Sequence, residues 1–259
     1  MAIDGLILDW FLRLHRAGAW PTGNVLEFGP QDLHVSPAIV QQFLARLGRP
    51  AESSGGLTAP DVYAALGSRE YHALDRDDPR ADIRHDLNEP LVESRRFDVI
   101  TNLGTLEHVF EPGQVFRTTH ELLRPGGLAI YVLPAFGDIN HGFWNVHPVT
   151  YADVARANGY TILDCHYVDN FGVRGERRRE TPEHPFEFSA LPIKLAEIQS
   201  PTFRQGVFLN FLNNAVDPET RRLGLRSASL VFDYCFVAMR KAAEHRPFVR
   251  PQQSLYHGS

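Results

Sequence analysis

The chain has 259 residues, 43% apolar and 22% charged, so it is long enough to bury a full core and has the composition of a soluble globular protein. Its formal net charge of −5 argues against non-specific nucleic-acid binding, which needs a basic face. The sequence shows no basic-then-apolar signal pattern and no apolar run of membrane-spanning length. It therefore predicts a cytoplasmic protein with neither a nucleic acid nor a membrane as partner.

The first third of the chain alternates predicted helices and strands. Apolar residues recur at helical spacing over residues 3–17, which predicts an amphipathic helix before the first strand. Ser36 followed by Pro37 is a typical start for a second helix, which is expected to end near Leu47. A short third helix is predicted at 60–67. Strands are predicted at 24–28, at 70–74 with Asp75 at its end, and at 83–87.

The same alternation continues to residue 168. Helices are predicted at 112–123 and at 148–158, the second closed by Gly159. Further strands are predicted at 97–103, 128–133, 161–168 and, near the end, 227–239. Strands that alternate with helices indicate crossover connections, and hence an α/β protein with a mostly parallel sheet.

Residues 169–226 interrupt this alternation. Their apolar residues fall on one side of a helical pattern, which predicts a helical insertion that either caps a binding pocket or makes a contact in a homodimer. We expect one domain over residues 1–245, with 169–226 as the insertion. Residues 246–259 are expected to form a flexible tail.

The end of the first predicted strand is the first candidate site. Glu27 lies one residue before its end, and Gly29-Pro30-Gln31 turns the chain. Ligands of open α/β sheets bind outside the carboxyl ends of the strands, and a glycine there lets the backbone come close to them. Acids at successive strand ends, Glu27 and Asp75, can accept strong hydrogen bonds from hydroxyls and an ammonium. The Gly-x-Gly-x-x-Gly pattern of a dinucleotide-binding dehydrogenase is absent after this strand.

The motifs, taken in order, resemble those of class I S-adenosylmethionine-dependent methyltransferases of the small-molecule branch. The resemblance covers roughly residues 22–168 and the last strand. It is carried by Val25-Leu26-Glu27-Phe28-Gly29, by Asp75, by Asp86-Leu87, by Phe97–Val109 and by Leu122–Leu128. It implies a Rossmann-like, doubly wound, mostly parallel seven-stranded sheet, with an antiparallel last strand and the helical insertion before it. It also implies S-adenosylmethionine as cofactor.

The resemblance further implies which residues hold that cofactor. Asp75 would bind the ribose hydroxyls, and Asp86 and Leu87 would lie at the adenine edge. The turn after the first strand keeps one glycine of the family pattern, and Pro30 removes a backbone donor, so Gln31 is expected to contribute its side chain. The full predicted set is Glu27, Gly29, Pro30, Gln31, Asp75, Asp86, Leu87, Asn102 and Gly104.

The candidate catalytic residues are histidines that follow strand ends. Methylation of a hydroxyl needs a base, and a histidine has an unperturbed pKa near neutral. His141 is the first candidate, followed by His108 and His147. Phe143, Trp144 and Glu107 are predicted to contact the substrate. A metal site built from Asp138, His141, His147 and Glu107 is an alternative, but the spacing matches no known motif and no metal is expected.

The sequence is therefore interpreted as that of a methyltransferase acting on a small molecule, most simply by O-methylation of a sugar or natural-product intermediate. Arg177-Arg178-Arg179 would suit a nucleotide sugar, although such runs are usually solvated. Two alternatives stay open: N-methylation of a small amine, and a non-catalytic binding or scaffold protein with a methyltransferase fold.

Overall fold

The computed structural model describes residues 2–49, 56–137, 141–169, 190–192 and 232–254. Several predictions fall outside these ranges. They concern Asp138, the Arg177-Arg178-Arg179 run, residues 255–259 and nearly all of the predicted insertion at 169–226.

The described residues form five α-helices, one short 3-10 helix and eight strands. The helices are α1 (Gly5–Arg16), α2 (Pro37–Arg46), α3 (Ala59–Ala65), α4 (Pro112–Leu122) and α5 (Pro148–Asn158), with the 3-10 helix at Leu106–His108. The strands are β1 (Gly23–Phe28), β2 (Ser68–Asp75), β3 (Ile83–Arg84), β4 (Phe97–Leu103), β5 (Leu123–Gly137), β6 (Thr161–Asp169), β7 (Ala190–Pro192) and β8 (Phe232–Arg240). None of the described helices is both long and apolar enough to cross a membrane.

All eight strands belong to one sheet, in the order β3-β2-β1-β4-β5-β8-β6-β7. Strands β1 to β5 pair in parallel with their neighbours, and β8 runs antiparallel between β5 and β6. The seven predicted strands are therefore confirmed, including the antiparallel last one. An eighth strand, β7, was not predicted. Its three residues pair antiparallel with β6 at the edge of the sheet, in the stretch predicted to be a helical insertion.

Alternating side chains of the central strands build a hydrophobic core on each face of the sheet. Val25 of β1 and Val99 of β4 pack with the apolar faces of α1, α2 and α3. Leu26 and Ile100, one residue further along the same strands, pack on the other face with residues of α4 and α5. A sheet covered on both faces by helices explains why these strands are apolar runs rather than half-polar ones.

The parallel pairing brings three strand ends to one edge of the sheet. Phe28, the last residue of β1, lies opposite Leu74 of β2 on one side and Asn102 of β4 on the other. The turns after β1, β2 and β4 consequently begin side by side. This edge is where an open α/β sheet binds its ligands.

The structure differs from the prediction for the C-terminal segment. Asn158 of α5 donates from Nδ2 to the Val249 carbonyl at 3.0 Å and accepts from the Val249 amide at 2.7 Å. Nε2 of His120, on α4, lies 2.7 Å from the Arg246 carbonyl. Residues 246–254 therefore lie against α4 and α5, where the sequence predicts a loose tail.

Candidate active site

A cavity of about 360 Å³ lies at the carboxyl ends of β1, β2 and β4. Its volume is at the lower end of the range of small-molecule sites. It is lined by the turn after β1, the end of β2 and the residues that follow it, residues 85–88, and the turn after β4. Seven of the nine predicted cofactor residues line it: Gly29, Pro30, Gln31, Asp75, Asp86, Leu87 and Gly104.

Gly29 forms the tightest part of the cavity wall. Its φ is +73°, in the left-handed region that favours glycine, and its amide donates to the Leu74 carbonyl at 2.8 Å. A Cβ at this position would lie 2.8 Å from Oγ1 of Thr105, which itself donates to the Phe28 carbonyl at 2.6 Å. Residue 29 must therefore be glycine, both for its backbone conformation and for the space beside it.

Gln31 compensates for the donor that Pro30 lacks. Its Nε2 donates to the Gly29 carbonyl at 2.8 Å and so braces the turn. Its Oε1 is buried and has no hydrogen-bond partner within the described part of the chain. Because Gln31 lines the cavity, this acceptor is suited to a ligand donor such as an ammonium group.

Glu27 does not line the cavity but lies directly behind its wall. The side chain is fully buried, and its carboxylate accepts from Tyr63 Oη at 2.6 Å, Tyr71 Oη at 2.7 Å and the Gln31 amide at 2.9 Å. Burial raises the pKa of the Glu27 carboxyl, while these three donors oppose the rise. Glu27, predicted to bind the cofactor, thus lies outside the cavity lining, and donors of the protein itself already satisfy its carboxylate.

Tyr63 and Tyr71 are functional residues that the sequence did not indicate. Tyr63 is fully buried and reaches Glu27 from α3, while Tyr71 reaches the same carboxylate from β2. Burial raises the pKa of both phenols, and the Glu27 charge adds to the rise, so both stay protonated donors. The pairing of Tyr71 with Val25 on β1 follows from the strand register, but the position of Tyr63 depends on how α3 packs.

Asp75 keeps one carboxylate oxygen for a ligand. Its Oδ1 accepts from the amides of Asp77 and Asp78 at 2.7 and 2.9 Å, which fixes the side chain at the end of β2. Its Oδ2 points toward the Gly29 turn, 3.9 Å from where a Cβ on Gly29 would lie, and accepts no hydrogen bond from a described residue. A carboxylate held in this way can accept from hydroxyl groups in the cavity.

Asp86 and Leu87 supply an acid and an apolar surface on the adjacent wall. Oδ1 of Asp86 accepts from the Asn88 amide at 2.9 Å and from Asn88 Nδ2 at 2.7 Å. These hydrogen bonds hold the pKa of Asp86 below its ordinary value, so it is ionised at neutral pH. Leu87 is 5% exposed beside it. The pair could hold the polar edge and the face of a flat heterocycle.

Arg80 ties together the loops on two sides of the cavity. Its guanidinium donates to the Pro30 carbonyl at 3.0 Å, to Asp32 at 2.7 Å and to Asp78 at 2.7 Å. The side chain is about half exposed, so each ion pair contributes little to stability. Its effect is positional, because it links the turn after β1 to the loop after β2.

Asn102 shapes the turn after β4 without entering the cavity. It is fully buried, and its Oδ1 accepts from the amides of Thr105 and Leu106 at 3.2 and 3.1 Å. Gly104, at a φ of +78°, then lines the cavity. Asn102, predicted to bind the cofactor, thus lies outside the cavity lining, and its Oδ1 closes the turn that presents Gly104 and Thr105.

Glu107, His108 and His141 come together beside this turn. His108 lines the cavity, and its ring centroid lies 4.8 Å from that of His141. Nε2 of His141 lies 3.9 Å from Oε1 of Glu107, which is fully buried while His141 is 39% exposed. The two groups are within ion-pair distance but beyond hydrogen-bond distance, which makes His141 a candidate general base beside a buried acid.

Glycine at position 142 allows the His141 loop to approach the 3-10 helix. The amides of Phe143 and Trp144 both donate to the Glu107 carbonyl, at 2.7 and 3.3 Å. A Cβ on Gly142 would lie 2.7 Å from that same oxygen. Glu107, predicted to contact the substrate, is buried under this loop, with its Oε1 3.9 Å from Nε2 of His141.

The other predicted residues lie outside the cavity. His147 is exposed at the N-cap of α5, because Pro148 begins the helix there. Phe143 and Trp144 are 64% and 41% exposed, and with Phe110, which is 61% exposed, they form an aromatic group next to His108 and Val109. Trp144 also donates from Nε1 to the Val109 carbonyl at 3.0 Å.

One set of side chains in the described ranges has the composition of a metal site, and it differs from the alternative predicted above. One ligand atom from each of Glu107, His108 and His141 lies within 4.8 Å of the others. His147 is not part of this set, and Asp138 lies outside the described residues. The same three side chains serve equally well as a base with its supporting acid.

Part of the chain is similar in sequence to two curated proteins. The chain is 36% identical over 104 residues to a ubiquinone biosynthesis O-methyltransferase of Ruegeria pomeroyi, covering 38% of each protein. It is 30% identical over 97 residues to the protein of the same description in Coxiella burnetii, covering 38% of the chain and 34% of the relative. The matches thus span little more than a third of these relatives.

Solved structures resemble the chain over most of its length. One is the N-methyltransferase NodS of Bradyrhizobium japonicum WM9 with S-adenosyl-L-homocysteine, at 13% identity and a TM-score of 0.42 over 92% of this chain and 86% of that one. Another is the O-methyltransferase of a Brevibacillus brevis polyketide multienzyme, at 14% identity and a TM-score of 0.42 over 91% and 72%.

A family described as a methyltransferase domain matches residues 5–145, more than half of the chain. The matched range runs from α1 through the turn after β4 to the loop that carries His141. It thus includes each cavity wall described above. The chain belongs to the methyltransferase domain family and has the α/β sheet with an antiparallel last strand that its motifs predicted.

Proposed function

We propose that the chain transfers a methyl group from S-adenosylmethionine to a hydroxyl oxygen of a small molecule. The observation that carries the proposal is the convergence, at one sheet edge, of a glycine turn, two carboxylates and a histidine supported by a buried acid. The curated relatives described as O-methyltransferases support an oxygen acceptor. A sugar or natural-product intermediate, as the sequence suggested, stays our choice of acceptor class.

The cavity fits the cofactor in three features of its wall. Oδ2 of Asp75 is available to the ribose hydroxyls, and Oε1 of Gln31 is a buried acceptor suited to the ammonium of the amino acid part. Gly29 leaves a cradle that a Cβ would fill. Asp86 and Leu87 would hold the adenine. When bound, the cofactor supplies an activated methyl carbon on a sulfonium sulfur.

The chain's own residues would position the acceptor and take its proton. In this proposal His141 would accept the hydroxyl proton of the acceptor, and the bound cofactor would supply the methyl group for the acceptor oxygen. Glu107, buried beside the ring, holds His141 in place and stabilises the imidazolium that results. His108 lines the cavity between this base and the cofactor cradle. Phe143 would form part of the acceptor wall.

Calorimetric titration with S-adenosyl-L-homocysteine tests the cofactor. We expect binding in the micromolar range, about −8 kcal/mol, and no binding of NADH as the control. Binding of neither compound would contradict the proposal and favour the alternative of a non-catalytic protein with a methyltransferase fold. Binding of NADH alone would indicate a dehydrogenase.

The variant Gly29→Ala is expected to abolish measurable S-adenosyl-L-homocysteine binding. The new Cβ would meet Thr105 Oγ1 at 2.8 Å, at a backbone φ of +73°. Gly48→Ala is a matched control, because Gly48 has a φ of +72° and nothing within 4 Å of its Cβ position. Both variants should lose about 1–2 kcal/mol of stability from the left-handed backbone. Equal cofactor affinity in the two variants would mean that the cradle is not at Gly29.

A further inference from the structure

A second and larger cavity, of about 670 Å³, lies between α4, α5 and residues 248–251. Asn88 lines both cavities, so they are neighbours, but the second shares no other lining residue with the first. Its volume is within the range of small-molecule sites. The reaction proposed above does not use it.

Apolar side chains from α4, from α5 and from the loop that precedes α5 form one wall of this second cavity. Phe116 of α4, Val146 of the loop before α5 and Val154 of α5 are buried parts of the core that also line it. Trp144 and Phe248, which are less buried, add two aromatic side chains. A wall of this kind favours a flat apolar ring, because aromatic side chains pack well against ring faces and edges.

The charged groups of the second cavity are two arginines and one acid. The guanidinium carbon of Arg117 lies 4.9 Å from the ring centroid of Phe248, and its Nη1 lies 3.8 Å from Oε1 of Glu121 in a partly exposed ion pair, which contributes little. Arg250 forms no ion pair with any described residue, and Glu111 is the acid among the lining residues. The two guanidinium groups favour a ligand that carries a carboxylate or a similar planar anion.

The wall supplied by the C-terminal segment is fixed in place. Asn158 is 1% exposed, and its side-chain amide makes two hydrogen bonds to the backbone of Val249. Val249 lies between Phe248 and Arg250 in the chain. A buried amide that makes two hydrogen bonds to one residue holds that residue closely. The cavity is therefore preformed, which lowers the free-energy cost of binding.

We propose that this second cavity binds a planar aromatic carboxylate, independently of the cofactor. The ring lies against Phe116, Trp144 and Phe248, and the carboxylate faces Arg117 and Arg250. Trp144 belongs to the same loop as His141, and its indole donates to the Val109 carbonyl at 3.0 Å. The occupied site is thus in direct contact with a loop that carries a candidate catalytic residue.

Titration with 2-naphthoate tests the proposal on the full chain. We expect a dissociation constant of roughly 0.1–1 mM, unchanged within about twofold when S-adenosyl-L-homocysteine is saturating. Binding should also quench tryptophan fluorescence through Trp144, because Trp10 and Trp20 are buried at 0% and 7% exposure. The quenching should disappear in Trp144→Phe. Competition between the two ligands would place naphthoate in the cofactor cavity and overturn the proposal.

Two variants and a control complete the test. Arg250→Glu should weaken naphthoate binding at least tenfold, and Thr150→Phe, which fills the cavity from α5, should do the same. Arg46→Glu makes the same charge change on α2 and should leave the affinity unchanged. Equal weakening by Arg250→Glu and Arg46→Glu, or no weakening by either cavity variant, would overturn the proposal. None of these outcomes depends on whether methyl transfer occurs.

Discussion

The variant His141→Ala is expected to lower kcat by about 10²–10⁴-fold, with S-adenosyl-L-homocysteine affinity unchanged within about twofold. The imidazole stands at the 3-10 helix after β4, 3.9 Å from the buried carboxylate of Glu107, and its loss removes the group that takes the acceptor's proton. It does not line the cofactor cavity, so cofactor binding should persist. The measurement is initial-rate kinetics with an acceptor from a hydroxyl-compound screen, beside calorimetric titration.

Three controls test whether His141 acts as the base. His147→Ala should be fully active, because that side chain is exposed at the start of α5. Glu107→Gln should lower kcat and leave cofactor affinity unchanged, because His141 loses the carboxylate that lies 3.9 Å from its Nε2. Dialysis against a chelator should leave turnover unchanged, whereas a loss restored by a divalent ion would reassign Glu107, His108 and His141 as metal ligands. Full activity of His141→Ala would indicate an acceptor that needs no base, such as a neutral amine.

Asp75→Asn is expected to weaken S-adenosyl-L-homocysteine binding by about ten- to a hundredfold, equivalent to roughly 1.5–3 kcal/mol for a hydrogen bond to a charged group. Asparagine keeps an oxygen for the amides of Asp77 and Asp78, so the turn after β2 is preserved. What changes is the second oxygen, which becomes an amide donor facing the cavity. Titration calorimetry measures the loss, and circular dichroism confirms that the fold is intact.

Asp9→Asn is the control for the loss of a carboxylate. Asp9 lies on α1 in an exposed ion pair with Arg13 and is not among the lining residues of the cavity. Its removal should leave cofactor affinity unchanged. If Asp75→Asn also bound the cofactor normally, the proposed ribose contact would be excluded, and the Asp86 side of the cavity would become the next candidate.

The buried residues behind the cavity explain why its wall can be so polar. Two phenols and one amide donate to the carboxylate of Glu27, and two amides donate to Oδ1 of Asn102. These acceptor groups behind the wall therefore have protein donors. Hydrogen bonds of this kind are costly to break, because they leave a buried group without its partner. Preorganised turns hold the available oxygen of Asp75 and the acceptor of Gln31 in place before any ligand arrives.

The sequence predicted the seven strands of the mostly parallel sheet and the edge at which the cavity lies. Apolar runs that end at Phe28 and Asp75, with glycines at 29 and 104, predict strands that pair in parallel, and parallel pairing brings their carboxyl ends together. These are local signals, because strand length, turn chemistry and glycine positions are each read within a few residues. Of the residues that the sequence and the family resemblance predicted to bind the cofactor, Gly29, Asp75, Asp86 and Gly104 lie on the cavity wall.

Packing between distant parts of the chain sets which polar side chains line the cavity and which lie behind its wall. Glu27 and Asp75 look alike in sequence, yet the first is enclosed by Tyr63 from α3 and Tyr71 from β2, while the second keeps an open oxygen. His141 and His147 lie in one loop, but only the first meets Glu107. Side-chain direction depends on packing between elements far apart in the chain, which no local pattern encodes.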